Sequence, residues 1–267
     1  MSRDFSNRRV ILTGGATGVG AALLDLLAEQ GANDVTVLDV KTPPGPHARF
    51  IDTDLSDPRA VDAAIAAIEG PVDVLFNNAG VADTLPPTTV FQINALAPVR
   101  LGQALLPQLR EGGAVVNTAS IAGLRWADNL EVIGELLEID DWDKALAWFD
   151  GRDLGVDTYS FTKQVVQIWT MRFSQVAAAH GVRVNSVCPA PIDTPLLADF
   201  RATLSDAAID WSIAAAGGRL VTPREVAQCL AWLANAESSF VNGVNLNVDG
   251  GLVAGLTTGQ ARYAGKE

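Results

Sequence analysis

Short β-branched apolar runs alternate along this chain with longer stretches whose apolar residues recur at helical spacing. The first run, residues 9–13 (RVILT), stops at Gly14-Gly15, as a buried strand does before a tight turn. From Val19 the apolar side chains fall at Val19, Ala22, Leu23, Leu26 and Leu27, one face of a helix, and Gly31 stands where that helix would stop. The pattern predicts further strands at 34–39, 49–52, 72–76, 114–118, 182–187 and 244–248. Between them it predicts helices over 57–69, 94–109 and from Asp157 to about His180, and a last helix opened by Thr222-Pro223 as cap and first position. Strands that alternate with helices imply a parallel sheet covered on both faces. The expectation is one α/β domain over residues 1–267, doubly wound, with no repeat and no low-complexity linker.

Two segments break the alternation. Residues 124–157 carry ten acids against Arg125, Lys144 and Arg152, a local balance of −7, together with Trp126, Trp142 and Trp148. Leu130, Ile133 and Leu137, then Leu146 and Phe149, repeat at helical spacings there. A helical hairpin inserted at the surface, acidic outside and apolar inside, accounts for both features. Residues 193–220 mix Leu196, Leu197, Phe200, Ile209 and Trp211 with Gly217-Gly218 and follow a strand end, where open α/β sheets bind ligands. This is the candidate lid.

Composition narrows the function. The chain has 267 residues, 48% hydrophobic and 19% charged, which suits a packed domain. Its net charge of −12 has the wrong sign for capturing nucleic acid or an anionic membrane surface. Cys188 and Cys229, the only two cysteines, build neither a disulfide framework nor a zinc site. His47 and His180 have no acid or nucleophile at useful spacing, so no metal is expected. With no apolar stretch long enough to span a bilayer and no leader-like segment, the expectation is a soluble, cytoplasmic protein.

The candidate chemistry begins in the turn after the first strand. Thr13-Gly14-Gly15-Ala16-Thr17-Gly18-Val19-Gly20 joins that strand to its helix, so pyrophosphate can approach the helix N-terminus, with Gly14, Thr17, Gly18, Val19 and Gly20 as contacts. Asp39 ends the next strand 19 residues after Gly20, where a carboxylate accepts the hydroxyls of an adenosine ribose and repels a 2′-phosphate. NAD is therefore favoured over NADP, although Lys41 nearby softens the preference. Tyr159 and Lys163 lie four apart on one helix face, a spacing at which an ammonium stabilises a phenolate.

Taken together, these motifs resemble the classical short-chain dehydrogenase/reductase family over about residues 9–251. The turn has its TGxxxGxG spacing, Asn77-Asn78-Ala79-Gly80 its NNAG element, Asp54-Leu55 its adenine-contacting pair, Tyr159 to Lys163 its YxxxK and Val248-Asp249-Gly250-Gly251 its last strand. The resemblance implies a Rossmann-type fold and an oxidoreductase that moves hydride between NAD and an alcohol or ketone. Tyr159 would exchange the proton, Ser120 orient the substrate oxygen, Lys163 bind the nicotinamide ribose, and Asn94, opening its helix, help hold a water. Asn78, Ala79, Gly80, Pro189, Ile192 and Thr194 complete the cofactor contacts that it implies.

The departures from the family are informative. Members commonly place the serine about a dozen residues before the tyrosine, whereas 39 separate Ser120 from Tyr159, the hairpin making up the excess. Ala190-Pro191 stands where the family shows Pro-Gly. The long gap resembles the subgroup of bacterial 3α-hydroxysteroid dehydrogenase/carbonyl reductases and coniferyl-alcohol dehydrogenases. Trp126, Leu196, Leu197, Phe200 and Trp211 offer the apolar surface of a bulky aromatic or alicyclic substrate. Family tetramers meet through the tyrosine helix, which the hairpin here directly precedes, so a homodimer is expected rather than a tetramer. Two other readings are a catalytically silent cofactor sensor or scaffold on the same fold, and a nucleotide-sugar epimerase or dehydratase. The complete four-residue set argues against the first, and the 16 residues after Gly251 leave little chain for the substrate domain of the second.

Overall fold

A computed structural model describes residues 4–203 and 205–262. Seven strands form one parallel sheet: β1 (Arg9–Thr13), β2 (Asp34–Asp39), β3 (Arg49–Asp52), β4 (Val72–Asn77), β5 (Leu109–Thr118), β6 (Arg183–Pro189) and β7 (Asn245–Val248), in spatial order 3-2-1-4-5-6-7. Alternate residues of β1 serve opposite faces. Val10 and Leu12 pack beneath α1 (Gly18–Glu29) with Leu23, Leu24 and Leu27, whereas Ile11 packs on the other face with Val61, Leu75 and Leu101. A strand buried on both sides reads as a continuous apolar run, which is why RVILT was legible.

The helix boundaries follow from their caps. Asp57 accepts the N–H of Arg59 at 2.9 Å and opens α2 (Pro58–Ala67) with Pro58 in the first turn. The helix predicted at 94–109 starts earlier and is not continuous. It comprises α3 (Pro87–Phe91), a π turn (Gln92–Leu96), α4 (Ala97–Leu105) and a 3₁₀ turn (Leu106–Gln108), after which β5 begins. Asn94 thus sits inside a π turn and caps nothing.

The insertion is a helical hairpin, α5 (Leu130–Leu136) and α6 (Trp142–Phe149). Its ten acids are all exposed, while Ile133, Leu136, Ala145 and Phe149 bury against Phe91, Phe161, Val165 and Ile168. Phe149 stacks on Phe91 with ring centroids 4.2 Å apart. Leu130, expected inside, is exposed because it starts α5 on the solvent side. The hairpin lies over α7 (Thr158–Ala178), so residues 161–170 of this long helix are all buried.

Two short helices, α8 (Leu196–Thr203) and α9 (Asp206–Ala215), make up the candidate lid; Leu204 lies outside the described residues, as do the chain ends 1–3 and 263–267. Thr222 and Glu225 close a reciprocal capping box on α10 (Pro223–Ala234), which packs beside α1. A last helix, α11 (Leu252–Thr258), follows Gly251 and was not read from the sequence. No helix among the described residues is long and apolar enough to cross a membrane.

Candidate active site

The strand order reverses between β1 and β4, and the motif residues gather at that crevice, at the carboxyl ends of the strands. Two glycines there are fixed by close approach. At Gly14, with φ +73°, a Cβ would lie 2.6 Å from the Ala79 Cα, and at Gly20 it would lie 1.8 Å from the Gly14 carbonyl oxygen. The Thr13 hydroxyl accepts the N–H groups of Asn78 and Ala79 at 3.0 and 3.1 Å. The Asn78 amide donates to the Gly14 carbonyl at 3.0 Å and accepts from the Thr118 hydroxyl at 3.2 Å. Asn78 thus ties the glycine turn to β5, a structural duty that its expected cofactor contact did not include.

An elongated cavity of about 510 Å³ runs along this edge. One end is walled by Asp39, Asp54 and Leu55, the middle by Gly14, Thr17, Gly18, Val19 and residues 78–80, and the other end by Tyr159, Lys163 and Thr194. Gly20 packs beneath it, and Pro189 and Ile192 face a second cavity instead. These residues fit a dinucleotide. Thr17 makes no side-chain cap on α1 and the first turn holds no acid, so the N–H end of this helix turns to the cavity with its positive dipole uncompensated. Asp39 is held by the Ala16 and Lys41 N–H groups at 2.9 and 3.1 Å, one to each carboxylate oxygen, which fixes its orientation.

The candidate reacting groups lie where the first cavity meets the second. Lys163, buried in α7, donates to the Thr118 carbonyl at 3.0 Å, and its Nζ stands 5.4 Å from the centre of the Tyr159 ring. Burial presses both groups toward neutrality. It raises the Tyr159 phenol above its ordinary value, with Asp157, Asp83 and Cys188 adding to the rise and the Ser120 hydroxyl opposing it, and it brings Lys163 down to about 8. Lys163 was expected to hold the tyrosine down, but desolvation is the largest influence on it here and acts in the opposite direction. Asn94 pairs with the backbone of Val81 in both directions at 2.9 Å, and its Oδ1 and the Lys163 Nζ both stand close to Gly80.

The second cavity, about 300 Å³, shares Ala119 and Tyr159 with the first. Ser120, Pro189, Ile192, Leu197, Phe200 and Trp211 line it, with Ile209, Leu252 and Leu256. Phe200 lies edge-on to Tyr159, ring centroids 4.7 Å apart. Helix α8 separates the cavities: Leu197 and Phe200 face the second, whereas Leu196 and Asp199 face the first. Leu196 is therefore a wall of the elongated cavity and not of the apolar one. Trp126 lines neither; it packs into the hairpin core with Leu146 and Trp148 around Phe161.

Comparison with known proteins decides the family. A family model described as short chain dehydrogenase matches residues 8–131, and one described as enoyl-(acyl carrier protein) reductase matches residues 154–253. Coniferyl-alcohol dehydrogenase of Pseudomonas sp. (strain HR199 / DSM 7063) is 31% identical over 94% of this chain and 98% of its own. The chain belongs to the short-chain dehydrogenase/reductase family. Among solved structures, 3-alpha-hydroxysteroid dehydrogenase from Pseudomonas sp. B-0831 complexed with NADH superposes with a TM-score of 0.77 at 30% identity, covering 95% of this chain and 99% of that one. BdcA in complex with NADPH reaches 0.68 at 26% identity, covering 92% and 94%. This short-chain dehydrogenase is thus an oxidoreductase of the family whose sheet and crevice are described above.

Several wall residues were missed in the sequence. Leu252 and Leu256 form an i, i+4 apolar pair after Gly250-Gly251, a signal that was present but short. Asp157 caps α7, accepting from the Ser160 N–H at 2.8 Å and its hydroxyl at 2.7 Å, and the Asp-x-x-Ser spacing marks such a cap. Asp83 carried no local signal; only the fold brings it to the tyrosine.

Proposed function

We propose that this short-chain dehydrogenase interconverts a bulky, ring-bearing secondary or aryl alcohol with its carbonyl compound, using NAD. The observation that carries this reading is the position of Tyr159 where a dinucleotide-sized cavity meets an apolar one. When bound, the nicotinamide supplies the acceptor or donor of hydride. Tyr159 passes the proton to or from the substrate oxygen, Ser120 holds that oxygen by hydrogen bonding, and Lys163, fixed by the Thr118 carbonyl, holds the ribose side. Asn94 braces Val81 behind Gly80 and so shapes the floor on which water and lysine meet. A phenol raised by burial is suited to donating a proton, so carbonyl reduction is favoured near neutral pH and oxidation gains as pH rises.

The NAD preference rests on Asp39, since similar structures include complexes with NADH and with NADPH. Substrate size rests on Leu197, Phe200, Ile209 and Trp211, and relatives named for coniferyl alcohol and for a hydroxysteroid agree with a ring-bearing substrate. The packing of the hairpin on α7, the helix through which family tetramers are expected to meet, supports a homodimer, and the two free cysteines support cytoplasmic residence. The deciding experiment is Tyr159→Phe: the variant should still quench on titration with NADH but lose about 10²–10⁴-fold in kcat, the span of general acid-base catalysis. Retention of more than a tenth of the activity would remove Tyr159 from the reaction.

A further inference from the structure

Asp83 stands in the loop between β4 and α3, 76 residues before Tyr159, yet its Oδ2 accepts the backbone N–H of Tyr159 at 3.1 Å. This bond crosses from the sheet edge to the first turn of α7, where a helix leaves its N–H groups without partners of its own. Asp157, the cap of the same turn, is the carboxylate neighbour of Asp83, and both residues line the apolar cavity beside Tyr159. The other oxygen of Asp83 is buried without a hydrogen-bond partner. We propose that Asp83 is a positioning residue for the reaction: it locks the tyrosine-bearing turn to the sheet edge and, paired with Asp157, fixes the negative charge against which the Tyr159 phenol works.

The charges around the phenol can be enumerated by element. On α7 and its cap are Lys163 and Asp157; from the loop after β4 comes Asp83; from β6, Cys188; from α8, Asp199 on the cofactor side; and from the end of β5, the neutral Ser120. Burial first, and then the adjacent Asp157, raise Asp83 from its ordinary value. Removing one of these negative charges makes the phenolate easier to form.

The proposal rests on Tyr159 as the proton carrier. Two variants separate its parts: Asp83→Asn retains an oxygen for the Tyr159 N–H and loses the charge, whereas Asp83→Ala loses both. The pH profile of kcat for alcohol oxidation should move its rising limb acidward by about half a unit or more in Asp83→Asn, a Coulomb effect of one nearby charge. Asp157→Asn should move it the same way. Asp83→Ala should show the shift together with a fall in kcat of about tenfold, much of which the Asn variant restores, while the dissociation constant for NADH stays within about twofold. If Asp83→Ala does not accumulate as folded protein, the Asn variant alone decides the question through its pH limb. A limb unmoved in the variants would overturn the proposal whatever happens to kcat. Should Tyr159→Phe instead remain active, the premise fails and the role of Asp83 falls with it, whereas an unmoved limb beside an inactive Tyr159→Phe overturns the role of Asp83 alone, so the two failures are distinguishable.

Discussion

Lys163 should make the folded protein less stable at neutral pH than the same fold without it. Its ammonium is buried and falls from the ordinary 10.5 to about 8, so between those values the unfolded chain binds the proton and the native chain does not. Stability therefore rises with pH across that window and is fully reduced below about 8. A gap of about 2.5 pH units at 1.36 kcal/mol each corresponds to about 3 kcal/mol acting against folding at pH 7. Lys163→Met keeps most of the apolar stem and removes the charge, but it leaves the Thr118 carbonyl without its 3.0 Å donor, which costs about 1–2 kcal/mol. The net expectation is an inactive protein more stable than wild type by about 1–2 kcal/mol at pH 7, or a few degrees in Tm for a chain of this size. Urea unfolding of both proteins from pH 7 to 10.5 tests this, and the gap should close, then reverse, as the lysine loses its proton. A variant less stable at pH 7, or a gain that does not change with pH, would refute the reasoning.

Three further outcomes are expected. NAD should bind at least tenfold more tightly than NADP, about 1.4 kcal/mol, and Asp39→Ser should narrow the difference; equal wild-type affinities by fluorescence titration would contradict the role of Asp39. A benzylic or alicyclic alcohol should exceed 2-propanol in kcat/KM, because Leu197, Phe200 and Trp211 present apolar area that a three-carbon alcohol does not cover; the reverse order would point to a small substrate. Sedimentation should show a dimer, and a tetramer cross-linked through α7 would contradict the shielding assigned to the hairpin.

The strands and the glycine turn were legible because their signals are local. A β-branched run bounded by glycine has few other solutions, and Asp57, Thr222 and Pro223 mark their helices within one turn. The Asn94 region was not legible, because a π turn leaves no mark in the apolar spacing of the continuous helical run around it; only Pro86-Pro87 advertised the true start. Trp126 was misplaced for a different reason. Proximity to Ser120 in sequence suggested the pocket, but the side chain packs, partly buried, on the apolar core of the hairpin. The division of α8 between two cavities, Leu196 and Asp199 against Leu197 and Phe200, depends on how the helix lies, which spacing alone does not fix.

The long separation of Ser120 and Tyr159 does not loosen the site, and the energetics show why. Lengthening a loop is inexpensive, about 0.6 kcal/mol for each doubling, so an insertion of this size adds only a small entropy of closure. Burying a residue such as Ile133, Leu136 or Phe149 returns about 1.5–3 kcal/mol each before ordering is charged against it. The hairpin thus offsets its own closure and becomes a cover on the tyrosine helix. Polar pins then set the register beneath that cover: Gln167 donates to the Ser120 carbonyl at 2.7 Å, Asn129 to Gln164 at 2.7 Å, and Asn117 to the Thr170 hydroxyl at 2.9 Å. Because the side chain that holds Ser120 comes from the helix that carries Tyr159 and Lys163, the three groups are tied to one helix. Sequence distance between them is therefore free to grow while the chemistry stays in place.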